Sequence, residues 1–324
     1  MTRTASLDED LARHLVSLAT LAPSVHNTQP WKFVHDGDRL CLRADRSRQL
    51  PVLDPDGRLL TQSCGAALHH LLVAIHAAGL DAKVELVPDP DDRDLLARVT
   101  VNRLLAATAQ DVAAAVAELT RATGRGRFKD SPLPEGLTDR LRADAERLGA
   151  RLRVIRPEEV VAVQVQVSRA ETYLDGDLAY REELARWVHE SDASDADGIP
   201  LDALDDAQDR AELVPGRAFV PAAVTRPVEP PPAEHPTLVL VLTDGDCPRE
   251  WLVAGQALSA LMLRCTTEGV AVQPIGQVVD VPATRQGLAE ALGVLGHPQM
   301  LVRLGRGTSV RRTRRRLIDD VLTV

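Results

Sequence analysis

The sequence predicts an α+β fold made of two duplicated halves. Short apolar strand patterns and a hairpin pattern are interspersed with longer helical patterns. Two apolar helical segments also resemble each other at a spacing of 190 residues. The length of 324 residues suits one large domain or two of ordinary size. Aromatic residues make up only 2% of the chain, so Leu, Val and Ala must fill the core.

The first half opens with a helix and a hairpin. Ser6 and Glu9 form a capping-box pattern, which predicts a helix over 7–21. The stretch "WKFVHDGDRLCLRAD" predicts two short strands joined at Asp36-Gly37-Asp38. The stretch "LDPDGR" that follows is typical of a turn.

The rest of the first half is predicted as helix, strand and helix. Residues 65–78 are apolar on nearly all sides, which predicts a buried helix, and Gly79 is placed to end it. The stretch "KVELV" at 83–87 predicts a strand. Residues 92–120 are predicted to be helical.

A second run of helices and strands follows the stretch "TGRGRFKDSPLPEG". The patterns predict a helix over 136–148, a strand over 151–155, a helix over 157–189, a strand over 237–244, a helix over 255–269 and a strand over 299–307. The closing stretch is "RRTRRRLIDDVL".

A long irregular excursion interrupts this second part at about 190–236. Residues 190–212 contain nine acidic residues and one basic residue, and residues 215–236 contain seven prolines. A connection of this length is longer than a compact domain normally needs. It is either a lid or arm, or a disordered surface loop.

The two apolar helices align when the chain is shifted by 190 residues. The identical pairs are Gly65 with Gly255, Ala67 with Ala257, Leu68 with Leu258, Leu71 with Leu261 and Gly79 with Gly269. Both helices follow a strand pattern that ends in Asp, and both precede a strand. We therefore predict an internal duplication, with halves 1–115 and 116–324 packed helix to helix as a pseudo-dimer.

Composition and missing motifs exclude several classes of protein. A net charge of −9 argues against nucleic-acid binding, and no apolar run is long enough to span a membrane. The four cysteines show no CxxC pair or metal spacing and are predicted to be mostly buried, reduced thiols of a cytoplasmic protein. His69 and His70 are interpreted as packing residues rather than metal ligands. The sequence has no HExxH, GxSxG, P-loop or complete dinucleotide fingerprint.

The stretch "APSVHNTQPWKF" carries small polar residues between two prolines. The prolines stiffen the segment, and Trp31 and Phe33 would anchor it in the core. Its polar side chains could recognise a cofactor, or they could simply bond to backbone in a capped turn.

This stretch resembles the PSxxNxQPW segment of the FMN-dependent nitroreductase family, and the chain is most similar to the family's Acg-like branch with two halves in one chain. Further similar stretches occur in the family's order: "DPDGR" with "SCGAAL", "RATGRGRF", "AGQAL", "HPQMLVRLG" and "TRRRLIDDVL". The resemblance implies a nitroreductase-like fold with non-covalent FMN between the halves. It places Pro23, Ser24, Asn27 and Gln29 against the flavin.

The resemblance also implies contacts to the FMN phosphate or ribityl chain. These residues are Arg121, Thr123 and Arg125, together with Arg315 and Arg316 near the end of the chain. Arg311 and Arg312 are expected to be solvated, and the alternative for the whole run is an exposed basic tail. Gly124 stands where the branch commonly has Asn, which weakens any role for that position.

The flavin ring would lie along "QPIGQ", which contains Pro274, Ile275, Gly276 and Gln277. The resemblance assigns a backbone N–H near Gly276 to flavin N5, and glycine allows the close approach. Pro274 and Ile275 would present an apolar face. Many nitroreductases have an acid where this chain has Ile275, and no residue is marked as a catalytic acid.

The implied function is an oxidoreductase that passes electrons from NAD(P)H through FMN to a nitro compound, a quinone or a similar small-molecule acceptor. The first alternative is a non-catalytic protein that binds or sequesters FMN under a lid. The second is a scaffold that has lost its flavin. A further homodimer is compatible with each of them.

Overall fold

The computed structural model describes residues 7–103, 106–126, 128–129, 131–190, 196–204, 217, 219, 237–307 and 312–324. The helices are α1 (Glu9–Ala19), α2 (Arg58–Ala77), α3 (Ala109–Thr120), α4 (Leu137–Arg147), α5 (Val160–Gly176), α6 (Leu178–Ala185), α7 (Pro248–Thr267), α8 (Gln277–Asp280), α9 (Pro282–Leu292) and α10 (Ile318–Val321). The strands are β1 (Trp31–Asp36), β2 (Arg39–Ala44), β3 (Leu80–Leu86), β4 (Leu95–Arg103), β5 (Phe128–Lys129), β6 (Arg151–Val154), β7 (Val188–His189), β8 (Ile199–Pro200), β9 (Thr237–Thr243), β10 (Ala271–Ile275), β11 (His297–Gly307) and β12 (Leu322–Thr323).

The chain forms two compact units, each assembled from separate stretches. Unit 1 comprises Met1–Arg121, Cys247–Thr267 and Arg314–Val324, and unit 2 comprises Ala122–Asp246 and Glu268–Thr313. These units do not coincide with the predicted halves 1–115 and 116–324, because α7 and the end of the chain pack within unit 1. The halves remain a prediction about how the sequence repeats.

Unit 1 is built on a five-stranded sheet in the order β12-β1-β2-β4-β3. β12 pairs parallel with β1, and the other pairs are antiparallel. The predicted hairpin is confirmed as β1 and β2, and the predicted buried helix is confirmed as the longer α2. Trp31 and Phe33 are fully buried in the core of this unit, as predicted.

The ends of the first helices follow ordinary capping chemistry. α1 begins after Asp8, whose carboxylate accepts a hydrogen bond from the Leu11 N–H at 2.9 Å. The predicted cap, Ser6, lies outside the described residues. Asp54 of the predicted turn accepts from the N–H groups of Leu59 and Leu60 at 2.9 and 2.8 Å, which satisfies the start of α2.

The prediction of helix over 92–120 is wrong for its first part. Residues Leu95–Arg103 form β4, which pairs with both β2 and β3, and only Ala109–Thr120 is helical. Burial alternates along β4, with Ala97, Val99 and Val101 buried and the residues between them half-buried. This period of two, together with the β-branched residues, favours a strand over the local helix propensity of Leu, Ala and Arg.

α2 and α7 approach each other closely at two glycines. A Cβ added at Gly65 would overlap the backbone carbonyl of Leu252, and a Cβ added at Gly255 would overlap that of Gln62. The contacts are reciprocal. Gly65 meets Leu252, which precedes Gly255 by three residues, and Gly255 meets Gln62, which precedes Gly65 by three residues. Such reciprocity is what a two-fold related helix pair produces.

The two adjacent histidines of α2 contact α7, as predicted for packing residues. The Ser259 hydroxyl lies 2.9 Å from the Nδ1 atoms of both His69 and His70. Burial, with a smaller effect from the nearby Arg121 charge, lowers the pKa of His70 well below its usual range, so the ring is neutral. Across the described residues, no cluster of His, Cys, Asp or Glu could hold a metal ion.

Glu118 of α3 is a buried acid in unit 1, and no other described residue bonds to either of its carboxylate oxygens. Burial raises its pKa from 4.5 to about 9. The folded protein therefore keeps this proton at neutral pH, whereas the unfolded chain loses it above about pH 4.5.

We expect the free energy of unfolding to fall as pH rises from about 5 to about 9, by at most about 1.4 kcal/mol per pH unit from this group. Glu118→Gln removes the titration, so its stability should decline less over the same range. Urea unfolding of both proteins across that range measures the difference. Parallel stability profiles would contradict the burial of an unpaired carboxyl at this position.

Unit 2 is built on a sheet in the order β10-β11-β9-β6, with β5 paired to β11, and all of these pairs are antiparallel. The predicted helix over 157–189 is divided, since Asp177 separates α5 from α6 and caps the latter. Of the predicted excursion at 190–236, the structure describes only 190, 196–204, 217 and 219. The prediction of a lid, an arm or a disordered loop therefore falls mostly on residues outside the described part of the chain.

Four strands of each sheet share one topology. The order β1-β2-β4-β3 in unit 1 corresponds to β6-β9-β11-β10 in unit 2, antiparallel throughout. In both runs a 20-residue helix, α2 or α7, follows the second strand and precedes the third. The strand order therefore repeats, and so does the position of the long helix between the second and third strands.

No helix in the described part of the chain has the length and apolar character that a membrane span requires.

All four cysteines are described, and none forms a disulfide; Cys64 and Cys265 are buried, whereas Cys247 is exposed. The prediction of mostly buried thiols therefore holds for two of them.

Candidate functional site

The loop at 23–29, which follows α1, has an unusual backbone. His26, Asn27 and Gln29 have φ angles of 46°, 56° and 50°, in the left-handed region. Among the described residues, Val87 is the one other non-glycine with a positive φ. Such conformations cost energy and cluster at functional sites, where the surrounding structure enforces them.

Several groups of unit 1 fasten this loop. The Ser24 hydroxyl accepts a hydrogen bond from the Gln29 N–H at 3.0 Å, and the Ser63 hydroxyl accepts from the Val25 N–H at 3.1 Å. Arg48 donates to the Thr28 carbonyl. These three hydrogen bonds hold the backbone of the loop in its conformation.

The structure brings the loop together with the predicted arginines of the C-terminal run. Arg315 donates from Nη1 to Asn27 Oδ1 at 3.1 Å, and the Arg316 N–H donates to Gln29 Oε1 at 2.8 Å. The side-chain nitrogen of Asn27 donates in turn to the Arg314 carbonyl at 3.3 Å. The side chains of Asn27 and Gln29, expected to face a flavin, are thus engaged with residues 314–316.

The remaining arginines of the run differ in their surroundings. Arg316 lies 3.6 Å from the buried carboxylate of Asp45 and donates to the Asp320 carbonyl at 2.8 Å. Arg312 is exposed, as expected, and Arg311 lies outside the described residues. The run is therefore not uniformly a solvated tail.

Arg121, at the end of α3, points to the beginning of the same loop. It is 5% exposed and donates from Nη2 to the Leu21 carbonyl at 3.2 Å. Arg315 donates to that carbonyl as well, at 3.0 Å. Two guanidinium groups therefore meet where α1 leads into the loop.

Thr123, Gly124 and Arg125 belong to unit 2. The Gly124 N–H donates to the Val272 carbonyl of β10 at 2.8 Å, so this segment runs beside the strand that leads to Gly276. A Cβ at Gly124 would lie 3.1 Å from the Phe128 ring, which explains a small residue at this position.

Arg125 is a cation of this segment that has no opposite charge beside it among the described residues. Burial lowers its pKa to about 10, and no acid contributes to the shift. Within the described ranges, it forms neither an ion pair nor a hydrogen bond. A guanidinium in this state can bind an anionic oxygen without first giving up another partner.

Residues 274–277 comprise the end of β10, Gly276 as the single connecting residue and the first residue of α8. Pro274 is half-buried, and Ile275 is fully buried in the core of unit 2. The expectation that both present an apolar face to a flavin stays a prediction, and the side chain of Ile275 packs in the core of unit 2. Gly276 precedes α8, its carbonyl accepts from the N–H groups of Val279 and Asp280, and Gln277 is fully buried.

Sequence reasoning missed Arg217. This residue of the Pro-rich stretch forms a buried ion pair with Asp280 and donates to the Tyr180 hydroxyl at 2.8 Å. A Cβ at Gly276 would lie 2.9 Å from Asp280 Oδ2 and 3.5 Å from Arg217 Nη2. The one signal in the sequence is an arginine among prolines, and nothing local connects it with Asp280.

Comparison with known proteins assigns the chain to a class. It is 36% identical to the Mycobacterium tuberculosis protein named "Putative NAD(P)H nitroreductase Rv3131", over 92% of this chain and 86% of that one. It is 32% identical to "Putative NAD(P)H nitroreductase acg" of the same organism, over 97% of this chain and 96% of that one. The chain belongs to the nitroreductase family.

No family model matches the sequence. A solved nitroreductase from Desulfitobacterium hafniense, with bound FMN, superimposes on 65% of this chain and 98% of its own with a TM-score of 0.41 at 15% identity.

Proposed function

We propose that this protein binds FMN non-covalently and is an oxidoreductase that transfers electrons from NAD(P)H to a nitro compound, a quinone or a similar acceptor. The observation that carries the proposal is the guanidinium of Arg125, which has no ion pair or hydrogen bond among the described residues, in a segment that runs beside β10 just before Gly276. Bound FMN would supply the hydride chemistry, and the protein would bind and orient it.

The side chains present fit the chemical demands of FMN. Arg125 offers two parallel N–H donors to a phosphate, and the Thr123 hydroxyl offers another. The resemblance places a backbone N–H near Gly276 against flavin N5, and the side of Gly276 where a side chain would lie is taken by Asp280 and Arg217. The Ser24 hydroxyl accepts a bond from Gln29 and keeps its own proton for donation to a ligand.

The predicted duplication is supported by two features. The strand orders β1-β2-β4-β3 and β6-β9-β11-β10 match. Gly65 and Gly255 make reciprocal contacts at the crossing of α2 and α7. We therefore propose that the chain descends from a fused homodimer, with 1–115 and 116–324 as its halves.

A second candidate function is flavin sequestration. The observation that favours it is the ion pair of Arg217 with Asp280, which places the Arg217 guanidinium beside Gly276. A side chain held there could limit the access of NAD(P)H or an acceptor to the flavin.

The two functions differ in what the loss of this ion pair should do. The double variant Arg217→Ala/Asp280→Asn avoids a buried unpaired charge. For an oxidoreductase, we expect the wild type to oxidise NAD(P)H in the presence of FMN and a quinone or nitroaromatic compound, and the double variant to keep a similar rate. A wild type without turnover and a double variant that gains it or releases FMN faster would instead support sequestration.

A further inference from the structure

We infer that Arg315 is a positioning residue, which holds the 23–29 loop in its strained conformation, and that Arg125 rather than Arg315 binds the FMN phosphate. This inference rests on the proposed function only where it concerns FMN. The family resemblance alone would assign both arginines to the phosphate.

The hydrogen bonds of Arg315 leave it no N–H group for a phosphate. A guanidinium has five N–H donors. Nε of Arg315 donates to one carbonyl at 2.8 Å, Nη1 donates at 2.9 and 3.1 Å, and Nη2 donates at 3.0 and 3.1 Å. The acceptors are the carbonyls of Thr20, Leu21, Ala22 and Arg314 and the side-chain oxygen of Asn27.

The acceptors show what these bonds achieve. Thr20, Leu21 and Ala22 stand where α1 ends, and the last carbonyls of a helix lack partners within it. A cation is favoured at this end of the helix dipole. Asn27 lies inside the loop, in the left-handed conformation. Arg315 therefore ties the entry of the loop to one of its strained residues.

Arg125 differs from Arg315 in this respect. It makes no hydrogen bond or ion pair with the residues that the structure describes, and burial alone changes its pKa. A phosphate could bind Arg125 without breaking any bond, whereas binding to Arg315 would require the loop to give up its support.

The experiment compares FMN with riboflavin, which has the same ring and no phosphate. Dissociation constants for both are measured by quenching of flavin fluorescence with the wild type, Arg315→Ala, Arg125→Ala and Arg314→Ala. Arg314 is the matched control, because it is exposed, adjacent to Arg315 and equal in charge, and its side chain forms no hydrogen bond or ion pair with the described residues.

For Arg315→Ala we expect both dissociation constants to rise together, by about tenfold or more, because the loop that the family resemblance places against the flavin ring loses its support. Arg125→Ala should raise the constant for FMN alone, and Arg314→Ala should change neither. An Arg315→Ala variant that loses affinity for FMN but not for riboflavin would overturn the inference. Unchanged affinity for both ligands would do so too.

A second measurement needs no flavin and separates this inference from the proposed function. In the flavin-free protein, Arg315→Ala should speed amide hydrogen exchange at Asn27, Thr28 and Gln29 relative to the wild type, while the amides of β1 keep their protection. Unchanged exchange in the loop would overturn the positioning role. If the wild type binds neither flavin, the proposed function fails, and hydrogen exchange alone decides the role of Arg315.

Discussion

Arg125→Ala is expected to weaken FMN binding by about 1.5–3 kcal/mol, or about 10- to 150-fold in the dissociation constant. The substitution removes a charge-assisted, two-pronged contact to the phosphate, and no neighbouring acid is left unpaired. Isothermal titration with FMN measures the loss.

Two controls separate this effect from a general loss of charge. Arg169→Ala removes one positive charge from an exposed position on α5 in the same unit, and it should leave FMN affinity unchanged. Arg125→Lys keeps the charge but not the planar fork, and it should recover part of the affinity. Equal affinity in wild type and Arg125→Ala would reject Arg125 as the phosphate contact.

Gly255→Ala is expected to lower the free energy of unfolding by about 1–3 kcal/mol or more, since the new methyl group would overlap backbone atoms of α2. The overlapped atoms belong to Gln62 and Ala66 and cannot rotate aside as a side chain could. Urea unfolding monitored by circular dichroism measures the loss.

The reciprocal variant Gly65→Ala should have a comparable cost, because that methyl group would overlap the Leu252 carbonyl. Gly176→Ala is the matched control, since a Cβ there meets no atom within 4 Å. Wild-type stability in both Gly65→Ala and Gly255→Ala would refute the close approach of α2 and α7. A loss in one alone would argue against their reciprocity.

Elements with a strong local pattern could be predicted from the sequence. The hairpin of β1 and β2 is predicted by its alternating pattern and by the Asp-Gly-Asp turn. The helices α2 and α7 are predicted by apolar segments that are too long for a typical strand. The 190-residue repeat paired these two helices, and Gly65 and Gly255, one of its five identical pairs, lie where the helices meet. β4 was missed because its Leu and Ala residues are good helix formers, and its alternation and β-branched residues decide for a strand once β2 and β3 lie beside it.

The candidate site could be predicted only as far as residue types allow. Sequence and resemblance brought Ser24, Asn27 and Gln29 into one loop, but they could not show that Asn27 and Gln29 bond to residues some 290 positions away. Hydrogen bonds over such separations leave no periodic trace in a sequence. The engagement of Arg315 and the pairing of Arg217 with Asp280 therefore required the structure.

The most direct test of the proposed FMN-dependent electron transfer is an anaerobic titration of the FMN-loaded protein with NADPH and then NADH, followed by flavin absorbance. We expect prompt bleaching by at least one nucleotide, reversed by a nitroaromatic compound or a quinone. A flavin that stays oxidised with both nucleotides, yet bleaches with dithionite, would contradict electron transfer from NAD(P)H and favour sequestration.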